Sequence, residues 1–461
     1  MKGVLLMESA ANQIDYKKRL VSADEAVKHI KSGDSILISH ACGEPQALID
    51  AMVDNYKNYK DVRIYHEVCM GEAKYCEPEM AGHFFHDALF VGANVRKAVN
   101  EGRAGYVPGY FHTIPTLIRD GELKLDVALL QSSLPDANGY VSFGISVDYA
   151  LAAVECAQTV IVQVNPNMPR TLGNSFVHID DIDYLVEADT PLIELHPGAI
   201  SEAEAAIGRY CASLVEDGSC LQLGIGSIPD AVLANLKDKK DLGLHTEMFA
   251  DGALDLIESG VINCRAKNFH PNKIVATFLM GTRKLYDFVD DNPFVEMQPV
   301  DYVNDPYIAS KNDKLVAINS CIEVDLKGQV ASESAGLRQI SGVGGQVDFC
   351  RAARLSKGGK AILAFPSLTR KGASKIVPFL QQGATVTTNM YDVEYFVTEN
   401  GIANLRMKNL EQRARALISI AHPSVQDELI AEYEDRFKQD YKAMSTEVAA
   451  GIGMTGKMKA E

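Results

Sequence analysis

Short runs of almost unbroken apolar residues recur along this chain, each set beside a helical period, and that alternation limits the fold more than any other feature. Ser35-Ile-Leu-Ile-Ser39 is the first such run, and residues 62–68, 126–131 and 159–164 follow, the last preceded by a helix over 147–157. A strand that is apolar at nearly every position has no solvated face, so it belongs in a mostly parallel sheet covered by helices on both sides. The pattern returns after residue 200. Residues 220–224 read as a strand, 229–236 as a helix and 242–246 as a strand. Strands over 274–279, 315–318, 361–365 and 394–398 come next, and a helix over 413–421 closes the fold.

At 461 residues the chain is too long for one hydrophobic core. Ser22-Ala-Asp-Glu25 has the form of a capping box and marks the start of folded structure. Residues 187–201 contain two prolines and no period, and read as a linker, with Ser201 capping a helix that holds Ala205, Ile207 and Tyr210. The expected organisation is an N-terminal extension over 1–21, an α/β domain over 22–190, a second over 201–443 and a polar tail over 444–461. Two open α/β domains with mostly parallel sheets face one another across a cleft.

The 45 basic and 61 acidic residues leave a formal charge of −16. That excludes a nucleic acid or an anionic membrane as partner, and an anionic substrate would have to be met by local cations and helix N-termini. The nine cysteines are odd in number and form no C-x-x-C pair. Reduced thiols in a cytoplasmic protein fit this usage; a disulfide framework or a zinc site does not. The opening apolar run is too short for a signal or a membrane span, and no later stretch reaches 18 apolar residues. A start near Met7 would explain the ragged beginning.

Three segments carry chemistry. In Leu221-Gln-Leu-Gly-Ile-Gly-Ser-Ile-Pro-Asp230 a strand runs through Gly224-Ile225-Gly226 into a helix, a geometry that suits a phosphate, a carboxylate or a developing oxyanion. It lacks the third glycine of a dinucleotide fingerprint and the lysine of a P-loop. Glu247, in His245-Thr-Glu-Met248, stands at a strand end where open α/β sheets bind ligands. Gly342-Val-Gly-Gly345 offers a nest of amides. Each has an ordinary reading too: a packing turn, a solvated loop acid, a tight loop. Gly43-Glu44-Pro45, Met70-Gly71 and residues 133–138 end strands of the first half and are expected to form the cleft's other wall, with Glu44 a candidate for the acyl pocket. His83 and His86 read as packing residues rather than metal ligands, and His245 as strand filling.

Taken together, Gln222-Leu-Gly-Ile-Gly226, His245-Thr-Glu-Met248, Asp301-Tyr-Val-Asn304, Gly342-Val-Gly-Gly-Gln346 and Ala416-Leu-Ile-Ser-Ile-Ala-His-Pro423 resemble successive blocks of the acetyl-CoA hydrolase/transferase family, from about Ser22 to Asp435. The resemblance implies two CoA-transferase-type domains and a coenzyme A transferase acting on short-chain acids, such as 4-hydroxybutyrate or butyrate with acetate. It implies Glu247 as nucleophile, with the amides of Ile225, Gly226 and Gly345 lining an oxyanion hole and Asn304 near the reacting carboxylate. CoA would be met by Gln222, Leu223, Gly224, Ile225, Gly226, Gly344 and Gly345, and by Lys371 and Lys375. No metal and no cofactor beyond the CoA thioester is expected, and relatives suggest a homodimer. Val397-Thr-Glu-Asn400-Gly departs from the family's usual tyrosine at position 400. Hydrolysis of the same glutamyl thioester remains the rival activity, and a non-catalytic sensor or a sugar-phosphate isomerase the rival of another class.

Overall fold

The computed structural model describes residues 15–442. The polar tail expected over 444–461 lies outside them, as does Met7. Within the described residues two α/β layers dominate. The first holds seven parallel strands in the order 105–106, 84–88, 62–66, 35–38, 127–132, 159–164, 184–187. The second holds six in the order 243–244, 220–223, 315–319, 360–364, 395–398, 401–404, parallel except for the hairpin that ends it. The apolar runs behave as expected of doubly covered strands: Val127–Ser132 is buried at every position.

Residues 188–201 form no regular element. Ser201 then caps the helix Glu202–Leu214 in a full capping box with Glu204. The box expected at Ser22 is only half made. Ser22 accepts from the Glu25 amide, but the Glu25 carboxylate turns outward to Lys28 at 2.6 Å. The helix at the C-terminal end also differs. Leu410–Ser419 does not close the described fold, because Pro423–Phe437 follows it, with Pro423 in the first turn, where its missing N–H costs nothing.

The halves are stitched together at the backbone. Met248–Phe249 pairs with Phe278–Leu279, and Phe278 bridges to Ser146 of the first half. Val147 donates to the Thr277 carbonyl at 3.1 Å and Leu279 to that of Ile145 at 2.9 Å. One apolar core runs through both sheets, taking in Leu37, Ala128 and Val162 from the first and Leu221, Leu244 and Ile362 from the second. Smaller cores sit on the outer faces.

Candidate active site

Glu247 occupies a break in the chain's strand pattern. The run expected over 242–246 is a strand only at Gly243–Leu244, and Met248–Phe249 leaves the six-stranded sheet to pair elsewhere. Glu247 lies at this change of partner, its carbonyl accepting from Thr277 and Phe278 at 3.1 and 3.2 Å. Thr246 ties the break down by bonding both the amide and the carbonyl of Leu223. The backbone is therefore fixed while the side chain is free to face the cleft.

That cleft, of about 380 Å³, is lined by Glu247, the turn Gly342–Gln346, Asn319–Ile322, Ser332, Ser341 and, from the first half, Phe90. Nδ2 of the fully buried Asn304 donates to Oε2 of Glu247 at 2.5 Å. Gly345 begins the helix Gln346–Leu355, and a Cβ there would lie 2.1 Å from the same Oε2. Gly344 takes φ +50°, a left-handed conformation that glycine adopts without strain. Gly342 lets the turn approach the first half: a Cβ on it would sit 2.9 Å from the Phe90 ring. Neither Gly344 nor Gly345 has an acceptor for its amide among the described residues.

Burial pushes the Glu247 carboxyl up to about 8; the Asn304 hydrogen bond opposes this, while the charges of Asp348 and Asp148 add to it. Glu67, which follows the strand Val62–His66, is also held well above the carboxylate range, first by burial and then by Glu247 and Asp148. Sequence reasoning passed over Glu67, although it satisfies the strand-end rule that singled out Glu247. It also passed over Phe90, Asp348 and His112.

The other expected residues are spread around this centre. Gln222 is buried and accepts from Asn319, a cleft residue, at 3.0 Å. Leu223 is buried, and Gly224-Ile225-Gly226 emerges from the neighbouring strand as an open turn at the start of the helix Ser227–Ala234. A Cβ on Gly226 would meet no protein atom within 4 Å, and its φ of +105° is one that glycine adopts without strain. Lys375 is buried enough to lower its ammonium pKa; it lies near Cys321 at the cleft and stacks over Phe365 at 5.3 Å. Lys371 is left on an exposed turn closed by Thr369 and Ala373.

Glu44 does not line the cleft. It packs on Gly71, with Oε2 3.7 Å from Nε2 of His66, and with Cys69 it forms a buried trio whose ligand atoms lie within 4.8 Å of one another. Tyr75 bonds the other His66 nitrogen at 2.9 Å, while Nε2 of His66 and both Glu44 carboxylate oxygens have no hydrogen-bond partner among the described residues. His83 and His86 each bond a main-chain carbonyl, and His245 bonds that of Val303 at 2.8 Å. Asn400, where the sequence departs from the pattern, bonds Ser367 and the Ile420 carbonyl and so serves local packing. No helix is long and apolar enough to cross a membrane among the described residues.

Comparison with known proteins agrees with this geometry. Two family models match, the acetyl-CoA hydrolase/transferase N-terminal domain over residues 6–195 and the C-terminal domain over 281–433. The chain is 56% identical to a 4-hydroxybutyrate coenzyme A transferase of Clostridium kluyveri, over 92% of this chain and 99% of that protein. It is 38% identical to a butyryl-CoA:acetate CoA-transferase of Anaerostipes caccae, over 91% and 97%. A crystal structure of a 4-hydroxybutyrate CoA-transferase from Porphyromonas gingivalis superimposes with a TM-score of 0.79 at 42% identity, covering 92% of this chain and 99% of that one.

Proposed function

This chain belongs to the acetyl-CoA hydrolase/transferase family, and from that premise we propose that it exchanges CoA between a short-chain acyl-CoA and a free carboxylate, with Glu247 carrying the CoA in transit. One observation carries the assignment of the nucleophile: the carboxylate stands in the cleft, gripped by Asn304 and pressed against the glycine that starts a helix. The substrate class rests on the transferase relatives, and 4-hydroxybutyrate or butyrate with acetate is the reading they favour. Relatives named acetyl-CoA hydrolase match at 28% and 25% identity, below the five transferases that match at 38% to 56%, although one succinyl-CoA:acetate CoA-transferase also stands at 25%.

In the reaction the ionised Glu247 attacks the acyl-CoA carbonyl carbon, the C–S bond breaks, and CoA leaves as thiolate. The thiolate then attacks the glutamyl carbonyl of the resulting mixed anhydride and expels the first acid as its carboxylate. A second carboxylate reverses both steps, so the kinetics are ping-pong. Each addition places negative charge on an oxygen beside Glu247. The amides of Gly344 and Gly345, with those of Ile225 and Gly226 on the turn that follows the neighbouring strand, are the donors we assign to hold it. The helix beginning at Gly345 adds its positive end. Gln222 to Gly226 and Lys375 would meet the CoA, with Lys371 reaching from its exposed turn.

Nine free cysteines and the absence of a membrane-crossing helix among the described residues support a cytoplasmic enzyme, and relatives favour a homodimer. The test is direct. Incubation with acyl-CoA, without acceptor, should add the mass of CoA less water to the peptide bearing Glu247, and Glu247→Gln, checked for deamidation, should abolish both the adduct and exchange. Exchange by that variant at the wild-type rate would overturn the assignment. Continuous release of free acid without acceptor, beyond the one equivalent per enzyme that forming the adduct liberates and at the rate of transfer, would make the protein a hydrolase.

A further inference from the structure

Asn304 uses one end of its amide on Glu247; its Oδ1 is buried and has no hydrogen-bond partner among the described residues. Oδ2 of Asp348 is in the same condition. Asp348 stands in the first turn of the helix that begins at Gly345, and its side chain is 2% exposed. Its Oδ1 meets Nδ1 of His112 at 2.8 Å, and His112 comes from the first half of the chain. His112 thus reaches across from the first half to Asp348, and Asn304 bears on both carboxylates: it bonds Glu247 and its amide lowers the pKa of Asp348, which burial raises. An ionised Asp348 resists the ionisation of Glu247; a protonated His112 offsets part of that charge.

We propose that His112 is a positioning residue for the nucleophile: as imidazolium it offsets part of the Asp348 charge and so favours the ionised Glu247 beside Asn304. The proposal rests on Glu247 being the nucleophile. The surrounding charges allow it. Burial works against the His112 cation, but Asp348 and Asp305 outweigh it and the opposing Arg351, so its pKa is raised. Tyr110 stacks on His112, with ring centroids 5.9 Å apart, and the Arg351 guanidinium is spent over Tyr110 and on Asp392. On the other side, Glu247 feels Asp348 and Asp148, and Glu67 feels Glu247 in turn; of these carboxylates Asp348 meets His112, and Asp148 meets the buried His40, whose Nδ1 lies 3.3 Å from its Oδ2.

The test is the pH profile of kcat/KM for the full chain with acetyl-CoA and butyrate. His112→Gln keeps a donor to Asp348 but not the charge. Its acid limb should move up by about half to one pH unit, a loss of roughly 3- to 10-fold on that limb that disappears at high pH. Asp348→Asn removes the repulsion and should move the limb down, and His112→Gln added to it should then change nothing further. A His112→Gln protein slowed equally at every pH, or an unmoved limb in Asp348→Asn, would overturn the proposal. If His112→Gln fails to fold by circular dichroism, His112→Asn, read on the same acid limb, decides in its place. Glu247→Gln separates the two readings: if it is inactive while the limbs stay in place, only the role of His112 falls, and if it is active, both fall.

Discussion

A Cβ placed on Gly345 would stand 2.1 Å from Oε2 of Glu247 and 2.6 Å from Nδ2 of Asn304. The close approach is to the far end of the Glu247 side chain, which can turn away from a Cβ only by leaving Asn304, so the substitution displaces the carboxylate and not the backbone. Gly345→Ala should therefore reduce transfer by about 10²–10³-fold, the scale of losing an oxyanion donor. Circular dichroism should stay native, because the strain is confined to the cleft. Steady-state exchange assays would check it.

Asn304 is the one side chain whose hydrogen bond lowers the pKa of Glu247 against its burial. In Asn304→Ala the carboxyl loses that donor and becomes harder to ionise. Transfer at neutral pH should fall by about 10- to 100-fold and recover partly as pH rises, a profile that initial rates between pH 6 and 9 would reveal.

Stability should carry the same signature. A carboxyl raised from 4.5 to about 8 takes up a proton on folding, so it weakens the fold progressively as pH climbs from its unfolded value through about 8. Glu247→Gln removes this penalty. The variant should match the wild type near pH 4.5 and exceed it above pH 8 by about a few kcal/mol, read as a midpoint shift in urea unfolding.

The two lysines differ in setting, and their variants should differ too. Lys375 is largely buried near the cleft, whereas Lys371 is exposed. Lys375→Met should raise KM for acyl-CoA by roughly tenfold with a smaller change in kcat, and Lys371→Ala by only about twofold, since an exposed cation is screened by salt. Equal effects in a titration of initial rate against acyl-CoA would contradict the burial argument.

Much of the fold could be read from residues. Strands apolar at every position, such as Val127–Ser132, and the Ser201 cap reported themselves through period and local chemistry. The helix Pro423–Phe437 escaped, although His422-Pro423 marks its start, because its buried face is narrow: only Leu429 and Tyr433 are fully covered. In the site, the two glycine turns and Glu247 carry local signals that a strand end and a loop make visible. His112 and Asp348 are 236 positions apart, and nothing in either neighbourhood announces their contact.

The shared core has a consequence for how this molecule can be divided. Phe278 joins Ser146 across the halves, and the segment over 188–201 that links them carries no regular element. Produced alone, either piece would expose apolar surface and aggregate. Cut within that segment, or expressed as two polypeptides in one cell, the pieces should find each other and restore activity, making the enzyme a natural candidate for split-reporter engineering.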